Sequence, residues 1–472
     1  MEFIDDLRVV DGPVAWAAWA AGAAGLAYLL WHAVFGRGRR WRPPGPAAVT
    51  LAGVVLLAAA LVAAVHWFLI YAVSVFPSEL PAEPLAWSAA AVVALLLLLL
   101  RGVGRPSGVG VRNGAGQNST QQNSTRRNST RRNRADAWRS RAAAAAAFLA
   151  VLALCAVQIN IYFGLNHTVG DLTGAAVARI PTLDAGLRRA AGAPAAAGLE
   201  QWRAPRDLPS GIIRKAAIPG TISGFQSRDA YVYLPPAYQS SPRPALPVLV
   251  LFSGQPGSPA DWLTGGALQR RLDSFAAQHA GVAPVTVVVD PNGSASANTL
   301  CMDSRIARAD TYLARDVPDW INQTFDVDPD PRKWAAGGFS FGGTCALQMV
   351  TRHPDVYGAA LAFSSEKEPA IAKERDKTIQ ATFGADAASF DRLTPLSVMA
   401  KDRFDGHGAY FAAGERDPEF IGHMDVLSEA ARKAGFTVES HRIANLGHSW
   451  ETAANGLPGG LDFLSRRWGI AP

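Results

Sequence analysis

Residues 332–353 read Arg-Lys-Trp-Ala-Ala-Gly-Gly-Phe-Ser-Phe-Gly-Gly-Thr-Cys-Ala-Leu-Gln-Met-Val-Thr-Arg-His. Lys333–Gly337 has the character of a short buried strand, and Phe341–Arg352 that of a helix with an apolar face. Between them stands Gly338-Phe339-Ser340-Phe341-Gly342, a Gly-x-Ser-x-Gly element. A strand-to-helix turn this sharp holds its serine in a strained conformation, and side chains at the flanking positions would collide with neighbouring backbone. The Ser340 hydroxyl would then stand at a helix N-terminus, where developing negative charge is favoured. A bare Gly-x-Ser-x-Gly is common; flanked by strand and helix it predicts a nucleophile elbow.

Outward from that stretch, 472 residues leave room for more than one unit. Hydrophobic residues make up 49% and the mean hydropathy is +0.08, high for a soluble enzyme. Residues 1–206 hold 20 Arg, no Lys and 10 acidic residues, a net +10, whereas residues 207–472 hold 25 basic and 29 acidic ones, a net −4. The basic pI of 9.3 therefore belongs to the first half, and nucleic-acid binding is a poor reading of it. Three cysteines are too few for a disulfide framework.

In the first half, four apolar stretches approach the roughly 20 residues that a bilayer core requires. They are Val14–Phe35, Ala47–Phe76, Leu85–Leu100 and Ala142–Phe163. The first follows Glu2, Asp5, Asp6 and Asp11 and precedes Arg37, Arg39, Arg40 and Arg42, the reverse of a cleaved signal peptide. The 77–84 loop has Glu79 and Glu83 without a basic residue, and the 101–141 loop carries ten Arg against Asp136. The positive-inside rule then predicts a multi-pass cell-membrane protein with both termini outside and a basic cytoplasmic loop at 101–141. Everything after Phe163 is expected to lie outside the cytoplasm.

Within the basic loop an Asn-Ser-Thr unit recurs at Asn118, Asn123 and Asn128; it fits the glycosylation acceptor pattern, but its composition reads as a low-complexity disordered loop. His32, His66, Gln158 and Asn160 within the spans have no acidic partner there and read as interhelical hydrogen-bonding groups or as residues placed at the membrane interface. Residues 164–206 read as a linker or an interfacial helix.

From Asp207 onward the composition changes, and residues 207–472 read as an α/β domain with a mostly parallel sheet, expected to be extracytoplasmic. Strands are expected at Ala230–Leu234, Val248–Phe252, Val285–Asp290, Lys333–Gly337, Ala359–Phe363, Ala409–Ala413 and Thr437–Ile443, alternating with helices. A serine needs a neighbouring base. Of the histidines after the elbow, His448 in Asn445-Leu446-Gly447-His448-Ser449-Trp450 occupies the loop after the last strand, where such a sheet carries its base. The acid belongs in Gly414-Glu415-Arg416-Asp417-Pro418-Glu419; Asp417 is preferred, with Glu415 as the alternative. The oxyanion hole would use the amides of Phe341 and of Gln255 in Phe252-Ser253-Gly254-Gln255-Pro256-Gly257. Asp290–Gly293 and Asn298–Ser304 are placed at the rim, and a Cys301–Cys345 disulfide is a hypothesis. No His-x-x-x-His or Cys-x-x-Cys pair supports a metal, and no cofactor is implied.

Gly338–Gly343, Gly447-His448-Ser449-Trp450-Glu451 and the Gly-Gln-Pro-Gly loop together resemble the esterase D/mycolyltransferase-type branch of the α/β-hydrolases. The resemblance covers residues 210–468 and leaves the spans unexplained. It implies Ser340 as nucleophile, His448 as base, Asp417 as acid, and the Gln255 and Phe341 amides as oxyanion hole. The mycolyltransferases are secreted without a multi-span anchor and use a glutamate acid, which keeps Glu415 open. The expected activity is that of a membrane-anchored serine esterase or acyltransferase on an envelope lipid or glycolipid ester. The competing reading is a non-catalytic binding domain on a transmembrane signalling or transport module.

Overall fold

The computed structural model describes residues 2–35, 44–75, 77–102, 121–190 and 196–470. The chain divides into two compact units: residues 7–69 with 79–162, and residues 1–6 and 70–78 with 163–472.

Among the described residues, the first unit contains four helices long and apolar enough to cross a membrane. They are α1 (Gly12–Phe35), α2 (Pro44–Trp67), α3 (Ala82–Gly102) and α4 (Gln121–Phe163). A π-helical turn, Phe68–Ala72, prolongs α2. Gly22 and Gly25 let α1 approach α4 closely, since a Cβ on them would lie 2.5 Å from Leu154 Cδ2 and from the Ala147 carbonyl. His66 Nε2 accepts from the Leu80 amide at 3.2 Å, a hydrogen-bonding role in keeping with its sequence. One expectation is corrected here. The composition predicts disorder for the basic stretch, yet from Gln121 its backbone is helical and continuous with the fourth span; its arginines are good helix formers, while its Asn, Ser and Thr residues are not, so the helix is not explained by propensity alone. Asn118 lies outside the described residues, and Asn123 and Asn128 lie on this helix.

The second unit is built on an eight-stranded sheet. Its strands are β1 (Ile212–Ala216), β2 (Ala230–Leu234), β3 (Val248–Phe252), β4 (Val285–Val289), β5 (Trp334–Phe339), β6 (Ala359–Phe363), β7 (Gly408–Gly414) and β8 (Thr437–Ile443). Their spatial order is β8-β7-β6-β5-β3-β4-β2-β1. The first two strands pair antiparallel, β2 joins β4 antiparallel, and all remaining pairs are parallel. Strands β2 to β7 are buried throughout, which explains their unbroken apolar runs. Strand β1 was not foreseen, because Arg214 and Lys215 interrupt its apolar pattern at a sheet edge.

Helices α5 (Leu268–Gln278), α6 (Phe341–Arg352), α7 (Pro418–Lys433) and α8 (Trp450–Trp468) pack against the sheet. Leu268, Leu272, Phe275 and Ala276 form the buried stripe of α5, and Phe420, Met424, Leu427 and Ala431 that of α7. The segment 164–206 is neither a free linker nor one interfacial helix. It holds short helices at Val169–Thr173 and Ala175–Ala178, and Leu183 and Trp202 are buried in the core of the α/β unit. Reciprocal bonds from Leu183 N to Lys215 O and from Lys215 N to Pro181 O, both 2.8 Å, tie it to β1. Its small residues hid this burial by giving no sustained periodicity.

Candidate active site

Strand β5 delivers Ser340 at its carboxyl end, where α6 begins. Ser340 adopts φ 56° and ψ −121°, a conformation that costs a non-glycine residue of order 1–3 kcal/mol. A Cβ at Gly338 would lie 2.2 Å from the Gly342 carbonyl carbon, and one at Gly342 would lie 2.3 Å from the Phe252 carbonyl oxygen. Both glycines are therefore required by backbone approach. The turn is held by Ser340 N donating to Phe363 O at 2.8 Å, and by the Gly343 and Thr344 amides donating to Ser340 O at 2.9 and 3.1 Å.

His448 comes from the loop between β8 and α8. Its Nε2 is 2.8 Å from Ser340 Oγ, and its Nδ1 is 3.0 Å from Asp417 Oδ2. The ring lies against Phe420 and Phe339, with centroids 4.0 and 5.0 Å away, so its plane is fixed by packing as well as by hydrogen bonds. Asp417 is 8% exposed and also caps α7, with Oδ1 accepting from Phe420 N at 3.4 Å. Glu415 turns elsewhere: its Oε2 accepts from Asn445 N at 3.0 Å and braces the histidine loop. Three groups far apart in sequence thus form one hydrogen-bonded line able to remove a proton from a serine hydroxyl.

The loop after β3 passes beside the nucleophile; a Cβ on Gly254 would be 3.8 Å from Ser340 Cβ. The amides of Gln255 and Phe341 donate to no described group, so both are unspent donors next to Ser340. The Gln255 side chain bonds to Ser296 O at 3.1 Å, away from any role in chemistry. Sequence reading missed how this loop is braced. Arg228 forms an ion pair with the fully buried Asp290 at 2.7 Å and donates to Gly257 O at 3.0 Å. Asp290 also accepts from the amides of Asn292 and Gly293 at 3.0 Å, which shapes the expected rim segment.

Cys301 and Cys345 are joined in a disulfide that pins the rim to α6. Gln348 Nε2 donates to Leu300 O at 2.8 Å and Arg352 Nη2 to Cys301 O at 2.7 Å, extending that attachment along the helix. Of the other candidate histidines, His353 binds Asp310, His407 contacts Pro354 O, His441 stacks on Tyr410, and His423 packs edge-on against Phe420. Among the described residues no group of three or more His, Cys, Asp or Glu is arranged to hold a metal ion.

Residues 225–451 match the Putative esterase family. An uncharacterized protein of Corynebacterium glutamicum is 38% identical over 254 residues, covering 52% of this chain and 59% of its own length. The MPT51 antigen of Mycobacterium leprae is 30% identical over 105 residues, 22% of this chain and 32% of that protein. The chain thus spans less than two thirds of either relative. A ferulic acid esterase structure aligns over 56% of this chain and 100% of its own, at 19% identity and a TM-score of 0.47. The sheet order and the elbow give the second unit an α/β-hydrolase fold, and the matched segment within it is similar to the Putative esterase family.

Proposed function

We propose that this protein is a membrane-anchored serine esterase or acyltransferase acting on a lipid or glycolipid ester of the cell envelope. The observation that carries the reading is the continuous Ser340–His448–Asp417 hydrogen-bonded line. Ser340 Oγ attacks the ester carbonyl carbon as its proton passes to His448 Nε2. Asp417 keeps the proton on Nδ1 and stabilises the imidazolium without taking that proton. The oxyanion is received by the Gln255 and Phe341 amides, at the N-terminus of α6. The carbonyl–oxygen bond to the alcohol then breaks, and the departing alcohol takes the proton from His448. An acyl-enzyme on Ser340 remains, and water or a second hydroxyl releases it by the same steps in reverse.

The envelope substrate and the outward orientation rest on the four apolar helices, the arginine-rich loop, and a disulfide of a kind that persists outside a reducing cytoplasm. The test is a fluorophosphonate probe with p-nitrophenyl esters on the purified full chain. Wild type is expected to label at Ser340 and release nitrophenol, and Ser340→Ala to do neither while remaining folded. Folded wild type that takes no label would leave only the non-catalytic binding reading. Lipid extracts from cells with and without active protein then identify the ester.

A further inference from the structure

The chain leaving β6, Phe363-Ser364-Ser365-Glu366, runs beside the nucleophile turn. Phe363 O accepts the Ser340 amide, and a Cβ placed on Gly343 would lie 3.1 Å from Ser365 Cβ. Glu366 N donates to Thr344 Oγ1 at 2.9 Å. The same Thr344 oxygen is 3.3 Å from Ser340 O and 3.3 Å from Glu366 Oε2. Thr344 has a single hydroxyl proton, so it can donate to the Ser340 carbonyl or to the Glu366 carboxyl, not fully to both. If Glu366 carries its own proton, the arrangement closes. Glu366 then donates to Thr344 Oγ1, Thr344 donates to Ser340 O, and the Glu366 amide occupies the remaining lone pair. If Glu366 is ionised, the Thr344 proton is drawn to the carboxylate, and a negative charge stands at the helix end where the oxyanion must form.

We propose that Glu366 is a positioning residue that works as a neutral carboxylic acid, holding the Ser340 turn through the Thr344 hydroxyl. This inference rests on Ser340 being the nucleophile. The surroundings favour the neutral form. Glu366 is 8% exposed, and among the described residues no cation pairs with it. Burial pushes its carboxyl up to about 8; the Thr344 bond opposes this, and the Glu419 carboxylate of α7 adds to it. On its own loop Lys367 is exposed and Glu368 is engaged by Arg375. From α7, His423 is held below the ordinary histidine range, first by burial and then by Lys367. Helix α6 brings only the uncharged Thr344. Among the described residues the buried Ser364 and Ser365 hydroxyls have no hydrogen-bond partner, so they give no support to a carboxylate either.

The test is the pH dependence of p-nitrophenyl butyrate hydrolysis by the full chain in detergent, corrected for spontaneous hydrolysis. In wild type, kcat is expected to fall about tenfold for each pH unit above the Glu366 midpoint. At about pH 6.5, Glu366→Ala is expected to lose about tenfold in kcat with KM little changed. Glu366→Gln, which mimics the neutral acid, should recover most of that loss and abolish the alkaline fall. Thr344→Val should lose activity at every pH, because the relay is cut whatever Glu366 does. An alkaline fall that persists unchanged in Glu366→Gln, or is missing from wild type, would overturn the proposal. So would a Gln variant as impaired as the Ala variant with the same melting temperature. Ser340 labelling by the fluorophosphonate in each variant separates the two ideas: unlabelled wild type defeats the serine reading itself, and this one with it.

Discussion

His448 Nε2 lies 2.8 Å from Ser340 Oγ across 108 residues of chain, while Asp417, 31 residues before His448, holds the other ring nitrogen at 3.0 Å. The two acids of the 414–419 turn are thereby separated in role. Asp417→Asn keeps the packing but favours the wrong imidazole tautomer, so kcat should fall about 10⁴-fold. Glu415→Gln still accepts from Asn445 N and should cost less than about tenfold. Steady-state kinetics on p-nitrophenyl esters decide; equal losses in the two variants would contradict the assignment.

Gly342 lies under the carbonyls that end β3. An alanine Cβ there would stand 2.3 Å from Phe252 O and 2.6 Å from Ser253 O, which are backbone atoms of a fully buried strand and its exit. Neither can move without breaking the sheet register. Gly342→Ala should therefore destabilise the domain by about 3 kcal/mol or more, at the upper end of single substitutions. The expected readout is a melting temperature lowered by several degrees together with lost fluorophosphonate labelling. A variant of unchanged stability would show that the elbow is looser than described.

The Cys301–Cys345 bond closes a loop of 44 residues. Chain-entropy arguments assign such a closure roughly 4 kcal/mol. Replacing both cysteines by serine should lower the midpoint of urea unfolding accordingly. Activity at 25 °C should fall less, because Gln348 and Arg352 still hold the 300–301 carbonyls. Non-reducing peptide mapping is the direct check, and two free thiols in the folded protein would remove this account.

What the sequence disclosed was chemistry carried by local turns. Ser340 needs its glycines, His448 follows the last strand, and Asp417 opens a helix; each is written in a few adjacent residues. Much of what supports those groups was not legible. Glu366 reaches Thr344 only because β6 lies beside β5, and Arg228 reaches Asp290 and Gly257 only because β2 lies beside β4. The 164–206 segment was misjudged for a related reason. Leu183 and Trp202 are buried by contacts with distant chain, and neither belongs to a periodic pattern. Asp310 is another partner found only in three dimensions.

Arg352, 7% exposed at its side chain, ends the elbow helix against Asp310, 20% exposed, at 2.7 Å; His353 Nε2 is 3.0 Å from both Asp310 oxygens. Burial by itself would push the Asp310 carboxyl up, but the Arg352 charge and the His353 bond outweigh it and leave the carboxyl below its ordinary value. A carboxyl lowered on folding contributes stability that is complete above its unfolded pKa, roughly 3.9, and is lost as pH falls through the lower folded value. Asp310→Asn leaves the Arg352 guanidinium buried without its counter-charge, so at neutral pH the variant should be less stable by about 3 kcal/mol. Below about pH 4 the wild type loses that contribution progressively, and the difference should shrink as pH falls toward the lowered folded value. Urea unfolding of both proteins from pH 7 down to about pH 3 reads this directly. A constant gap across that range would mean that the pair's charge contributes nothing, and that Asp310 acts on the end of the elbow helix by shape alone.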